Sequence, residues 1–334
     1  MFMRMQENFS GCRVLSYCVM SNHFHILLEV PPMPEGGISD EELLKRLSAT
    51  NTEAFVAVVA KELADARASS GREGREGREG REGREGREGR EGREGLVKEI
   101  HARFSYRMHN LSEFMKTLLQ RFTRWFNRTH KRSGTLWEER YKSVIVESGV
   151  AARTMSAYID LNPVRAGMVA DPAEYRWSSY GEAVGGGPKG NGKKARAGLV
   201  RACMSHQGAG FEAEKWKEVS RIYRRAMGLA LGRKSGQAEL GCSPVVTKNT
   251  EEMQAGEDNE TVLPDIGMAA MLRHRVRYFT DGAVIGSKAF VNEAFDAARG
   301  RFTARRKDGA RRMRGSGKAA AGVLWSVRDL RMGI

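Results

Sequence analysis

Two histidines one residue apart, His23 and His25, are the side chains in this sequence best suited to chemistry. They stand in Tyr17-Cys18-Val19-Met20-Ser21-Asn22-His23-Phe24-His25-Ile26-Leu27-Leu28-Glu29-Val30. Apolar residues on both sides predict two short strands joined by a turn at Ser21-Asn22. Side chains alternate along a strand, so His23 and His25 share one face and Phe24 points toward a core. Two imidazoles on one face can hold a single divalent metal ion. The plainer reading is a pair of solvent-facing histidines on a half-buried strand.

A second segment, Ala151 to Val169, adds a nucleophile. Good helix formers and the apolar residues Met155, Tyr158, Ile159 and Leu161 predict a helix up to Leu161. Tyr158 and Asn162 are four apart and share a face of it. A tyrosine hydroxyl can attack phosphorus and form a covalent intermediate. An amide oxygen four residues on can complete a metal site that already has two imidazoles. Taken alone, a tyrosine in such a pattern is more often an ordinary half-buried helix residue. Pro163 disfavours α conformation at Asn162 and predicts a helix end there.

Met20-Ser21-Asn22-His23-Phe24-His25 and Tyr158-Ile159-Asp160-Leu161-Asn162-Pro163-Val164-Arg165-Ala166-Gly167 together resemble the motifs of IS200-type transposases. The likeness is narrower to those associated with repetitive extragenic palindromes. Gly134-Thr135-Leu136-Trp137-Glu138-Glu139-Arg140-Tyr141-Lys142-Ser143 and Tyr175-Arg176-Trp177-Ser178-Ser179-Tyr180 fit the same pattern, over about Val14 to Tyr180. The resemblance implies an HUH-type single-strand DNA endonuclease and strand transferase that uses Mg²⁺ or Mn²⁺ and often works as a dimer. It also implies a ferredoxin-like α+β fold, an antiparallel sheet with packed helices. By resemblance, His23 and His25 are the main metal ligands and Asn162 the third. Tyr158 attacks in line, leaving a 5′-phosphotyrosine and a free 3′-hydroxyl. Tyrosine ordinarily ionises near pH 10, so either some group takes its proton or the metal lowers its pKa. The family has a strand and a helix before its first motif, whereas only Met1 to Cys12 precede the first strand predicted here. The central strand is therefore expected to be missing, through a late start or a truncated copy, which would leave unpaired backbone groups beside the histidine strand. A catalytically inactive DNA-binding descendant is the alternative from another class. A plasmid-type replication initiator or relaxase is a second enzyme alternative, but the Tyr158–Asn162 segment fits it less well.

The elements that must position these residues carry a strong charge bias. Lys and Arg number 56 against 41 acidic residues, a net charge of +15. That balance favours a polyanionic partner, single-stranded or hairpin DNA on this reading, and an RNA-binding protein would show it too. Asn110 to Thr129 predicts the clearest helix, capped by Asn110 with Glu113 in the capping box. Its apolar stripe, Leu111 through Phe126, suits a core or a dimer interface. Arg121, Arg124, Arg128, Lys131 and Arg132 cluster toward its end and continue into Arg140 and Lys142, a candidate DNA-backbone contact. Cys12, Cys18, Cys203 and Cys242 lack metal or disulfide spacing, which suits a reducing cytoplasm. No apolar run reaches membrane-spanning length and no signal-peptide core is present.

The expected organisation is a core over 1–180, a Gly/Lys-rich linker over 181–200 and a mainly helical, basic C-terminal extension over 201–334. From Gly71 the triplet Gly-Arg-Glu repeats eight times, to Glu94. A glycine every third residue opposes helix, so 71–95 predicts a flexible insertion. Asp40 to Ala68 and Phe211 to Leu231 predict helices, Asn249 to Glu260 a loop, and Lys142 to Val146 a strand. Tyr278 to Val291 predicts a turn and a helix capped by Ser287, and Arg301 to Lys318 is strongly basic; the region reads either as an accessory DNA-binding module or as a partly disordered basic tail that binds nucleic acid without sequence choice.

Overall fold

The computed structural model describes residues 1–68, 85–185, 191–204, 215–227, 277–280, 282–314 and 323–328. The chain forms two compact units, each mixing contributions from distant segments. Unit 1 comprises Met1–Val14 and Leu28–Tyr141, and unit 2 comprises Leu15–Leu27 and Lys142–Ile334. The division is not the one at 180 to 201 expected from the glycine-rich composition. Of the remaining expectations, the loop at Asn249–Glu260 lies outside the described residues.

Unit 1 is largely helical. Helix α1 (Phe2–Ser10) ends at Gly11, whose φ of 72° is left-handed. A side chain there would collide with Arg46 and His109, so glycine satisfies both the backbone and the space. Asp40–Ala68 forms two helices, α2 (Asp40–Ser48), capped by Ser39, and α3 (Glu53–Ala68). Helix α4 (Glu85–Ser105) includes the last residues of the Gly-Arg-Glu repeat, contrary to the flexible insertion expected there, and the earlier part of the repeat, 71–84, lies outside the described residues. Ile100, buried, and Val97 and Phe104, half-buried, pack against Phe9, Leu43, Leu47, Val59 and Leu63. Once that packed turn exists, adding residues to the helix is far easier than starting one, and Arg and Glu are good helix formers. Helix α5 (Leu111–Thr129) has the expected cap, with Asn110 Oδ1 accepting from the Glu113 N–H at 3.1 Å. Its stripe divides: Phe114, Met115 and Leu118 are buried, whereas Trp125 is 46% exposed.

The hairpin pairs β1 (Arg13–Val19) with β2 (Phe24–Glu29) around the predicted turn, with the Met20 N–H bonded to the His23 carbonyl at 2.8 Å. Beside the histidine strand β2 lies β1, whose other edge is met by the segment around Trp177. The Val19 N–H donates to Trp177 O at 2.9 Å, Tyr17 N–H to Ser179 Oγ at 3.1 Å, and the Tyr175 hydroxyl to Val19 O at 2.8 Å. A bridge between Cys18 and Ser178 completes the edge. A looping segment, not a strand, thus satisfies these backbone groups.

Unit 2 is organised around helix α6 (Val150–Asp160), in which every residue from Ala151 to Asp160 is buried. Around it pack α8 (Ser179–Gly185), α9 (Asn191–Cys203) and α10 (Trp216–Ala226), following the short helix α7 (Asn162–Arg165) with Pro163 in its first turn. Helix α9 begins inside the predicted linker because Ala195, Leu199 and Ala202 form an apolar face that the core takes up. Gly181 is obligatory: a Cβ there would overlap the Tyr175 carbonyl. Strand β3 (Ile145–Val146) pairs parallel to β4 (Gly282–Gly286), which pairs antiparallel to β6 (Trp325–Arg328), with β5 (Arg311–Arg312) outermost. Ser287 caps the helix Lys288–Ala297 as expected, accepting from the Phe290 N–H at 3.2 Å. From the expected C-terminal extension, Phe279, Ile285, Met313 and Leu324 lie in the same core as α6. Among the described residues no helix is long and apolar enough to cross a membrane.

Asp160 ends α6 as a fully buried carboxyl. It accepts from Ser179 Oγ at 2.8 Å, Tyr180 N–H at 3.0 Å and Tyr223 Oη at 2.6 Å. Burial outweighs these donors and pushes its pKa up to about 6. A carboxyl with a folded pKa above its unfolded value takes up a proton on folding. Its contribution is therefore most favourable below pH 4 and falls as the pH rises to about 6. The stability of the parent relative to Asp160→Asn, measured by urea unfolding, should decline over that window by on the order of 3 kcal/mol and be flat above it. A difference independent of pH would show that Asp160 titrates as an exposed carboxylate does.

Candidate active site

Strand β2 and helix α6 bring the predicted chemistry together within unit 2. Leu27, two residues after His25, is buried in the α6 core, so β2 turns its odd-numbered face inward and Phe24 is only half-buried. His23 and His25 follow on that face, as alternation predicts, with ring centroids 5.2 Å apart. His23 sits at the exposed rim, where its Nδ1 lies 2.8 Å from Asn22 Oδ1. His25 lies deeper, edge-on to Tyr158 with centroids 5.8 Å apart.

Tyr158 is held on several sides and is 1% exposed. Phe279 stacks on its ring at 4.3 Å with an interplanar angle of 21°. The Arg165 guanidinium lies over the ring at 4.1 Å, a cation–π contact worth roughly 0.5–2 kcal/mol. Arg165 also donates to the Tyr158 backbone carbonyl at 3.0 Å and to Asn162 Oδ1 at 2.6 Å. Asn162 Nδ2 donates to Ile159 O at 3.0 Å. The Asn162 amide therefore closes the end of α6 and fixes Arg165, and its oxygen faces a cation.

Arg165 and Phe279 are site residues that sequence reasoning missed. Arg165 had a signal: it stands seven residues after Tyr158, two helical turns on and so on the same face. Phe279 had none, because its contact with Tyr158 spans more than a hundred residues of chain.

The electrostatics follow from burial. The His25 pKa is lowered to about 4, first by desolvation, then by His23 and Arg165. His25 is thus neutral near pH 7 and has a lone pair to offer. Burial also lowers the Arg165 pKa, while Tyr158 and Cys18 oppose that shift. The donor set fits a divalent cation in part: two imidazoles with one open, exposed side suit it, whereas Asn162 Oδ1 is occupied by Arg165. Among the described residues no group of three or more His, Cys, Asp or Glu side chains converges.

The remaining candidate residues stand apart from these. Arg121 donates to the Thr50 carbonyl at 3.1 Å and is partly buried. Arg124, Arg128, Lys131, Arg132 and Arg140 are exposed, with Arg132 over the Phe126 ring and Arg140 over Tyr141. All six belong to unit 1, whereas Lys142, also exposed, begins the second segment of unit 2. Comparisons with protein-family models, with curated proteins and with solved structures gave no match.

Followed by NMR through its Cε1 proton, His25 should titrate near pH 4. Arg165→Met should move it upward, since that removes one of the charges disfavouring imidazolium. Its folded pKa lies below its unfolded value, so its contribution to stability is complete above about pH 6.5 and is lost as the pH falls toward 4. An ordinary histidine titration at His25 would contradict its desolvation.

Proposed function

We propose that this protein is a metal-dependent single-strand DNA endonuclease and strand transferase of the IS200-like, HUH type, working on hairpin-containing DNA through Tyr158. The observation that carries the reading is the meeting of His23, His25 and Tyr158 in one ring cluster, from segments far apart in the chain. The net charge of +15 is consistent with a nucleic-acid partner. The proposed core is ferredoxin-like, a reading that the antiparallel β1–β2 hairpin and the packing of Leu15 and Leu27 with helix α6 support.

In this mechanism the Tyr158 oxygen attacks phosphorus in line and the 3′-oxygen leaves. The bond energy stays in the phosphotyrosine, so a second 3′-hydroxyl can rejoin the strand without ATP. Mg²⁺ or Mn²⁺ on His23 and His25 would neutralise charge on a non-bridging phosphate oxygen. Arg165 acts from within the chain: a guanidinium beside the phenol stabilises negative charge on its oxygen. Asn162 holds Arg165 in that place through its 2.6 Å hydrogen bond. Phe279 must leave the Tyr158 ring before DNA can reach it, because the tyrosine is 1% exposed. That occlusion favours a second reading, a protein that binds DNA without cutting it.

The two readings separate on a covalent adduct. Incubated with single-stranded hairpin DNA and Mn²⁺, the protein should give a denaturant-stable adduct that Tyr158→Phe abolishes without loss of binding. Phe279→Ala should raise the rate of adduct formation severalfold. His23→Ala, His25→Ala or EDTA should each remove cleavage. If neither the parent nor Phe279→Ala forms the adduct while both bind DNA, the non-cutting reading holds. An adduct that persists in Tyr158→Phe would move the nucleophile to another residue.

A further inference from the structure

Unit 1 contains a cleft that the catalytic proposal does not use. One wall is a single face of α5: Glu113, Lys116, Thr117, Gln120, Arg121 and Arg124, at three- and four-residue spacing. The other is the turn after α4, which contributes Tyr106 and Arg107. Four cationic side chains face it against one carboxylate. That carboxylate, Glu113, is already committed to Lys116 at 3.1 Å. Arg107, Arg121 and Arg124 are left with no acidic partner among the lining residues.

These arginines repel one another. The Arg121 pKa is lowered first by burial and then by Arg107 and Arg124. Like charges gathered in a partly desolvated cleft oppose folding, and an anion held among them relieves the repulsion. The turn is also fixed in advance. His109, at φ 51°, donates from Nδ1 to the Pro31 carbonyl at 2.9 Å and accepts at Nε2 from Arg46 at 3.0 Å. The Arg107 guanidinium is braced over the Phe9 ring at 4.8 Å. At the rim Tyr106 is 62% exposed, a large aromatic face open to solvent beside the cations.

We infer that this cleft binds one nucleotide of a single-stranded nucleic acid, its phosphate on Arg107, Arg121 and Arg124 and its base stacked on Tyr106. An aromatic face takes any base, but only one not already stacked within a duplex, so the site selects single strands by structure rather than by sequence. Arg121 and Arg124 thereby act as a converging pair, distinct from Arg128, Lys131, Arg132 and Arg140, which do not line the cleft. The inference deepens the nucleic-acid side of the proposed function and stands whether or not Tyr158 cuts.

The test uses the full chain with Tyr158→Phe, so that covalent capture does not contribute, and reads fluorescence anisotropy of a labelled oligothymidylate. Tyr106→Ala and Arg124→Gln should each weaken binding about tenfold at moderate salt. Arg124→Gln should also lessen the slope of log affinity against log salt by about 0.7, the value for one phosphate contact on a single strand. Both side chains are largely exposed, and thermal melting verifies that the variants fold. Arg128→Gln, on the same helix but outside the cleft, should lose less, and duplex of equal length should be insensitive to Tyr106→Ala. Parent-like affinity and slope in both cleft variants would overturn the inference. So would equal losses at Arg128, which would mean a diffuse field. Competition by inorganic phosphate at its own low concentration, with no effect of Tyr106→Ala, would replace the nucleotide by a free phosphate ion and overturn it as well. Adduct formation is not a readout, so failure here is separable from failure of the Tyr158 mechanism.

Discussion

A carboxyl group with no access to water sets the geometry of unit 2. Helix α6 is buried along its whole length, so Asp160 must find its donors inside the protein. Ser179 and Tyr180 supply them from the segment that edges β1, and Tyr223 supplies another from α10. Ser179 also accepts the Tyr17 N–H, so the same hydroxyl that satisfies Asp160 holds the hairpin bearing the histidines. Tyr158 is two residues away on the same helix. The spacing of His25 and Tyr158 is thus a consequence of polar groups that must be paired. Removing one partner of such a buried cluster is costly because the others remain desolvated.

Local pattern made the pieces of the site legible and left their surroundings hidden. Alternation over Val14 to Val30 predicts the hairpin and the shared face of His23 and His25. Phe24 and His25, on opposite faces, are both half-buried, because alternation identifies two faces but not how far the core covers each. Capping chemistry at Asn110 and Ser287 is visible because it depends on residues three apart. The pairing of β3 with β4 joins residues well over a hundred positions apart, and Ile145–Val146 alone holds no information about it. Glycine-rich composition misleads at α9, where three apolar residues on one face outweigh the propensity of the stretch around them. An acidic residue closing a helix as apolar as α6 was a readable sign of a buried network.

Charge is placed differently in the two units. Beside Tyr158 a single cation, Arg165, is partly buried against an aromatic ring and tied by hydrogen bonds to the end of α6. His25 stays neutral beside it, first because it is desolvated and then because a second positive charge in that space is disfavoured. A divalent ion entering next to Arg165 meets the same repulsion unless an anion accompanies it. Metal and phosphate are therefore expected to bind cooperatively, each offsetting the penalty of the other. In unit 1 the arginines of the cleft carry their repulsion openly.

Helix α4 grows out of a coding repeat, and this has a genetic consequence. Gain or loss of whole Gly-Arg-Glu triplets keeps the reading frame, so slippage during DNA copying changes the length of the segment without destroying the protein. Each triplet within a helix adds about 4.5 Å of rise and about 300° of rotation. The residues that anchor α4, from Val97 to Phe104, all follow the repeat. Insertions ahead of them alter what the helix starts from and leave untouched the register in which it docks. The repeat can therefore vary in number among descendants of this sequence while the core it leads into stays constant.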